Sequence, residues 1–335
     1  MIMIILLFIG LILFNAKIMD KDYEKTALNY SNTVAIRGIC AIEIMLGHIG
    51  IALPNQILLF PFRKAGILIV GIFFFFSGYG LMYSLENKKN YLTGFLRKRL
   101  TAILVPTFFV CILAILLYYA ILGENNSILQ ACIFSIESIN WYVWEILGCY
   151  VLFYLVYRFL SKESAFVFIA ALSVIFVCFS YIAGLSNPWY GSTLCFPLGL
   201  WAASNQTEFL KWNVKHWIGK TAVLGIVLSV SIILFFILPE RSISGAIISR
   251  NVASLSFCCI VTILLRKIKI GNKLTEFLGK ISFEIYLVHP LVISIYLSNR
   301  IQMKNDILYT IAVIGTSIFS ALALNKIVSL FRRPR

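Results

Sequence analysis

Arg37 and His48 stand eleven positions apart in the run "IRGICAIEIMLGHIG", which otherwise reads as membrane-spanning helix. At 3.6 residues per turn that spacing is three turns plus about 20°, so both project from one face, about 16 Å apart along the axis. Glu43 lies about 240° round from Arg37 and faces a different neighbour. Ionised groups at the centre of a membrane helix cost on the order of 2.5–3.5 kcal/mol each on insertion scales, so they are rarely placed there idly. Imidazole titrates near neutrality and is the usual general base for a hydroxyl group. His48 therefore has two readings, a catalytic base or a histidine hydrogen-bonded inside a bundle. Arg37 alone would be an interfacial anchor. Aligned with His48, it marks a polar stripe running inward from one surface.

Three further stretches carry chemistry. "INWYVWEILGCY" places Glu145 just inside a span, where a carboxylate is a functional candidate or a partner for a basic or tyrosine side chain. "GKISFEIYLVHPLVI" holds Glu284 and His289, and His289 stands beside Pro290, so it reads either as a reacting group or as part of a helix kink. "NYLTGFLRKRLTAILVP" sets Arg97, Lys98 and Arg99 at the mouth of a span, suited to topology, to lipid head groups or to phosphates. In "GIFFFFSGYGL", small residues around Ser77 and Tyr79 favour close helix packing first and hydrogen-bond donation second.

The elements that must position these groups follow from composition. The 335 residues are 60% hydrophobic and 13% charged, against about 45–50% and 25% in a soluble domain, which makes the chain a polytopic membrane protein. Apolar runs of spanning length occur near 34–53, 65–84, 102–122, 141–160, 164–183, 188–204, 217–238, 246–265, 281–298 and 307–330. The expected fold is an all-α bundle of about ten transmembrane helices. Pro54, Pro61, Pro188 and Pro239 fall at helix ends. With loops alternating between the two sides, 23 of the 29 Lys and Arg fall on one of them, including Lys17 to Arg37, Lys88 to Arg99, Arg266 to Lys280 and Lys326 to Arg335. The other side has Arg63, Lys64, Arg241, Arg250, Arg300 and Lys304. That asymmetry puts the first set in the cytoplasm, with the C-terminus, and accounts for the net charge of +15 without nucleic acid. The segment "MIMIILLFIGLILF" is short for a span and has no basic region before it, so an uncleaved eleventh helix is expected there, with a cytoplasmic linker completing residues 1–31. The eight cysteines lie mostly in apolar runs with no CxxC pair, which points to small interior residues and to neither a disulfide framework nor a metal site.

Taken in order, these pieces resemble the membrane acyltransferase-3 family, which includes bacterial O-acetyltransferases of surface polysaccharides. The likeness extends over most of the chain, about Asn32 to Arg333. Arg37-Gly38 with His48 matches the family's first helix, Phe73 to Tyr79 its Phe-Phe-x-x-Ser-Gly-Tyr pattern, and Trp141, Tyr142 and Glu145 its Trp-Tyr segment with a downstream Glu. Ser282, Tyr286, Leu287 and His289 match its Ser-x-x-x-Tyr-Leu-x-His signature. One position departs: the family often carries two arginines three apart ahead of a proline, and here Arg99 precedes Pro106 with Thr101 and Ala102 where the second is usual.

The resemblance implies an acyltransferase domain over 32–335 in the inner, cytoplasmic membrane, moving an acetyl group from cytoplasmic acetyl-CoA to a hydroxyl of a capsule, exopolysaccharide or O-antigen glycan. His48, Glu145 and His289 are then the expected catalytic groups. Arg37, Arg97, Lys98 and Arg99 would hold the polyanionic donor, and Ser77 or Tyr79 would stabilise the oxyanion. His48 is expected to be reachable from a cationic inner vestibule. A transporter or flippase of lipid-linked sugars accounts equally well for the spans and buried charges, but leaves the ordered motif set unexplained.

Overall fold

A computed structural model describes residues 1–122, 128–137, 141–238 and 242–331. Arg241 and the arginines 332, 333 and 335, which enter the charge reading above, and Pro239, expected at a helix end, lie outside them. The described chain is an all-α bundle of fifteen helices with one two-residue β-pairing. In order these are α1 (Ile2–Leu13), α2 (Lys21–Thr26), α3 (Tyr30–Ala52), α4 (Phe60–Asn87), α5 (Phe95–Leu117), α6 (Ile128–Glu137), α7 (Trp141–Phe159) and α8 (Lys162–Ile182). They continue as α9 (Cys195–Ser204), α10 (Gln206–Val214), α11 (Trp217–Ile237), α12 (Ser249–Lys267), α13 (Lys273–Lys280), α14 (Ser282–Leu297) and α15 (Asp306–Phe331).

Eight of these, α3, α4, α5, α7, α8, α11, α12 and α15, are long and apolar enough to cross a membrane, and the bent pair α13–α14 makes nine if it counts as one span. The remaining run of the ten, 188–204, differs from a simple span. It opens as a 3₁₀ turn over Asn187–Tyr190, where Pro188 and Gly191 interrupt the helix, and continues only as the ten-residue α9. It still leads from the Trp141 end of the bundle to the end that carries Arg266, since Trp189 packs on Trp141 and Phe209 of α10 lies under Arg266. α1 forms where a helix is expected, but its twelve residues reach about 18 Å, short of a 30 Å core.

Burial ranks the helices. In α3, 78% of the apolar window is buried, against 6% in α11, so α3 is central and α11 faces lipid. Lipid tails supply no hydrophobic drive between helices, so close packing and polar contacts must hold the centre together. Two crossings show how. A Cβ on Gly38 of α3 would stand 2.1 Å from the Thr275 carbonyl oxygen of α13, and one on Gly199 of α9 would stand 2.1 Å from the Phe75 carbonyl of α4. Only glycine lets those backbones meet.

α13 is set by a capping box: the Asn272 side chain accepts from the Leu274 and Thr275 N–H groups, and Asn272 N–H donates back to Thr275 Oγ1. The chain then turns 74° at Ile281, where Ser282 Oγ donates to the Gly279 carbonyl, and enters the bundle as α14. The N-terminal segment closes over the same end. β1 (Lys17–Ile18) pairs antiparallel with β2 (Ile268–Lys269), Glu24 of α2 pairs with Lys267, and Arg266 Nη1 donates to the Glu24 carbonyl at 2.6 Å.

Candidate active site

The central feature joins two histidines 241 residues apart in the chain. His48 Nδ1 and His289 Nε2 lie 2.6 Å apart, with the rings near-stacked at 4.8 Å between centroids. Both the position and the tautomer of His289 follow from α14. Pro290 has no N–H to offer the Tyr286 carbonyl, and the His289 imidazole sits against this part of the helix with Nδ1 at 3.0 Å from the Ile285 carbonyl. A carbonyl only accepts, so Nδ1 of His289 carries a proton, and in the neutral imidazole Nε2 then holds a lone pair. Nδ1–H of His48 must then donate to that lone pair. This leaves Nε2 of His48 unprotonated, as a base or nucleophile requires. His289 is fully buried and His48 is half-buried. Orienting one imidazole through its other nitrogen is the logic of a catalytic triad, with a neutral histidine here in the orienting place.

Beside this pair a cavity of about 670 Å³ runs in from the end of the bundle that carries Lys88 and Lys280. Its cations are Arg37, Lys88, Arg99 and Lys280, and the one carboxylate among its lining groups is Glu284, which accepts from Asn325 Nδ2 at 2.9 Å. Arg37 lies over the Tyr30 ring at 5.0 Å. Arg99 Nη2 donates to the Tyr91 hydroxyl at 2.7 Å. Ala102, in place of a second arginine, lines the same wall one turn from Arg99.

Deeper in the bundle Ile44, Tyr142 and Tyr286 line the cavity, with the two tyrosine rings edge-on at 5.3 Å. Ile44 stands one turn before His48 on α3, and Tyr286 one turn before His289 on α14. His48 itself does not line the cavity. The cavity therefore reaches within a helical turn of the base, with Tyr142 and Tyr286 in its wall.

The other expected groups divide. Arg37, Arg99, Ser77 and Tyr79 line the cavity. Arg97 and Lys98 do not: Arg97 stands about 200° round α5 from Arg99, and both side chains are exposed. Ser77 sits beside the hydroxyls of Tyr142 and Tyr150, and Tyr79 stacks between Phe75 and Tyr83. Glu145 makes no hydrogen bond to either imidazole; its carboxylate accepts from Thr193 Oγ1 at 2.6 Å and so fastens α7 to the turn before α9. Lys88, Lys280 and Tyr150 were not anticipated. Only the position of the two lysines at the ends of basic-side helices could have signalled them.

A family model described as "Acyltransferase domain" matches residues 34–326. The chain belongs to the membrane acyltransferase-3 family. Neither the curated proteins nor the solved structures give a significant match. Family membership makes this chain a multi-pass membrane acyltransferase. In acyltransferase-3 terms, the first-helix histidine and the histidine of the Tyr-Leu-x-His signature form one hydrogen-bonded pair in this chain.

Proposed function

We propose that this protein moves an acetyl group from cytoplasmic acetyl-CoA to a hydroxyl of a cell-surface or lipid-linked glycan. The observation that carries this reading is a histidine with a free Nε2, held by a second histidine, one helical turn from a cationic cavity. Coenzyme A is polyanionic, and Arg37, Lys88, Arg99 and Lys280 suit its phosphates. The excess of Lys and Arg at this end supports a cytoplasmic orientation for it in an inner-membrane protein, with the C-terminus on the same side. Donor phosphates thus stay on the basic side, while the thioester, carried on the uncharged pantetheine arm, reaches past Tyr142 and Tyr286 toward His48. Residues 32–335 form the catalytic domain in this account, with 1–31 as its N-terminal brace.

The chemistry uses one nitrogen. His48 Nε2 takes the proton of the acceptor hydroxyl as that oxygen bonds to the acyl carbon; when the C–S bond breaks, the proton passes to the departing thiolate. In the alternative order, Nε2 itself carries the acyl group between thioester and sugar. In both, charge arising on His48 is shared through Nδ1–H with the neutral His289. Mass spectrometry of surface glycan from cells carrying wild type or His48→Ala tests the proposal. The expected result is loss of O-acetyl groups with the variant still in the membrane; acetylation at the wild-type level would remove His48 from the reaction.

A further inference from the structure

We propose that Tyr286 is a catalytic residue, whose hydroxyl donates a hydrogen bond to the carbonyl oxygen of the donor thioester and holds the oxyanion formed there. The inference rests on the acyl-transfer reading above and goes beyond it by naming the group that receives developing negative charge.

Three observations converge on this tyrosine. It lines the inner end of the cavity and also packs its ring on His289, with centroids 5.9 Å apart, so it borders both the donor's path and the histidine pair. Its side chain is 7% exposed, and its hydroxyl has no hydrogen-bond partner among the described residues. A buried hydroxyl left unpaired is costly, and such groups in native proteins need a reason. The neighbouring deep hydroxyls are differently placed. Those of Tyr142 and Tyr150 both lie beside Ser77, which draws Ser77 into a side-chain cluster and away from a free donor role.

The step balances around these groups. The acceptor oxygen, or His48 Nε2, bonds to the thioester carbon and the carbonyl π electrons move onto oxygen, where the Tyr286 O–H meets them. As the carbonyl re-forms, the C–S bond breaks. In the direct route the thiolate takes the proton that His48 removed from the hydroxyl. In the acyl-histidine route it leaves as the anion beside the acylimidazolium and takes the hydroxyl proton when the sugar oxygen displaces Nε2. Tyr286 keeps its own proton throughout. A donor placed where the oxyanion forms acts on the transition state more than on bound substrate.

Steady-state kinetics of purified Tyr286→Phe with acetyl-CoA and glycan test this. Loss of one oxyanion donor is expected to lower kcat about 10²-fold or more while the donor KM stays within about threefold. Tyr309→Phe removes an equally buried, unpartnered hydroxyl away from the cavity and should leave kcat unchanged. A Tyr286→Phe kcat within about twofold of wild type, or a raised KM at constant kcat, would overturn the proposal. Should the wild type transfer no acyl group from an acyl-CoA, the acyl-transfer reading itself fails and this inference with it. If Tyr286→Phe does not purify in folded form, fluorotyrosines at position 286 keep the question open to measurement. An oxyanion donor makes kcat follow phenol acidity, and a merely packed hydroxyl does not.

Discussion

At the scale of single residues, the account turns on which nitrogen holds which proton. Nδ1–H of His289 is committed to the Ile285 carbonyl, so its Nε2 can only receive, and His48 must give. His289→Ala should therefore leave His48 present but unoriented, in either tautomer. The expected outcome is a fall in kcat of about 10²-fold with the donor KM little changed, measured on detergent-purified protein. Unaltered kcat would reduce His289 to a kink residue. The eleven-residue spacing of Arg37 and His48 was readable in the sequence, because helical periodicity is local. The pairing of His48 with His289 was not, since it depends on how α14 is laid against α3 after 241 intervening residues. For the same reason the depth of Glu145 in the span was legible, whereas its hydrogen bond from Thr193 was not.

At the scale of elements, the close approaches around α3 decide where the imidazole stands. α13 crosses α3 at Gly38 with the Thr275 carbonyl and the Gly279 N–H where a Cβ would go, and neither backbone group can rotate away. Gly38→Ala should push α13 outward, disturb the 74° corner and destabilise the protein by about 1–3 kcal/mol, seen as a lowered Tm in detergent. Gly315→Ala in α15 meets nothing within 4 Å and should hold or slightly raise Tm. Equal Tm values would mean that the crossing is softer than its geometry indicates. Sequence patterning identified most spans, since about 20 apolar residues announce one plainly. It failed at 188–204, where a 3₁₀ turn and a short helix share a single apolar run. It also could not show that Lys273–Lys280 lies across the axis of α14, because a corner at Ile281 leaves no mark on hydropathy.

At the scale of the whole molecule, charge asymmetry and the cavity tell one story. The basic end holds the mouth lined by Lys88, Arg99 and Lys280, while the opposite end carries the turn at Gln56, joined to Asp306, and the α14–α15 connection. A reporter active only in the cytoplasm should work when inserted at Lys88–Asn90, between α4 and α5, and fail at Gln302–Asn305, between α14 and α15. The reverse pattern would put the phosphate-binding mouth outside and exclude cytoplasmic acetyl-CoA as donor. The charge asymmetry was legible because parity and basic residues are properties of the entire chain. The cavity was not, since its walls come from α3, α4, α5, α7, α13 and α14 together.

The most direct measurement uses purified protein in sealed vesicles, with the glycan acceptor enclosed and labelled acetyl-CoA added on the face that carries Lys88. Wild type is predicted to label the enclosed glycan, and His48→Ala, inserted to the same level, is predicted to leave it unlabelled. Equal labelling by both proteins would contradict the assignment of the reaction to this histidine and to the cavity that approaches it.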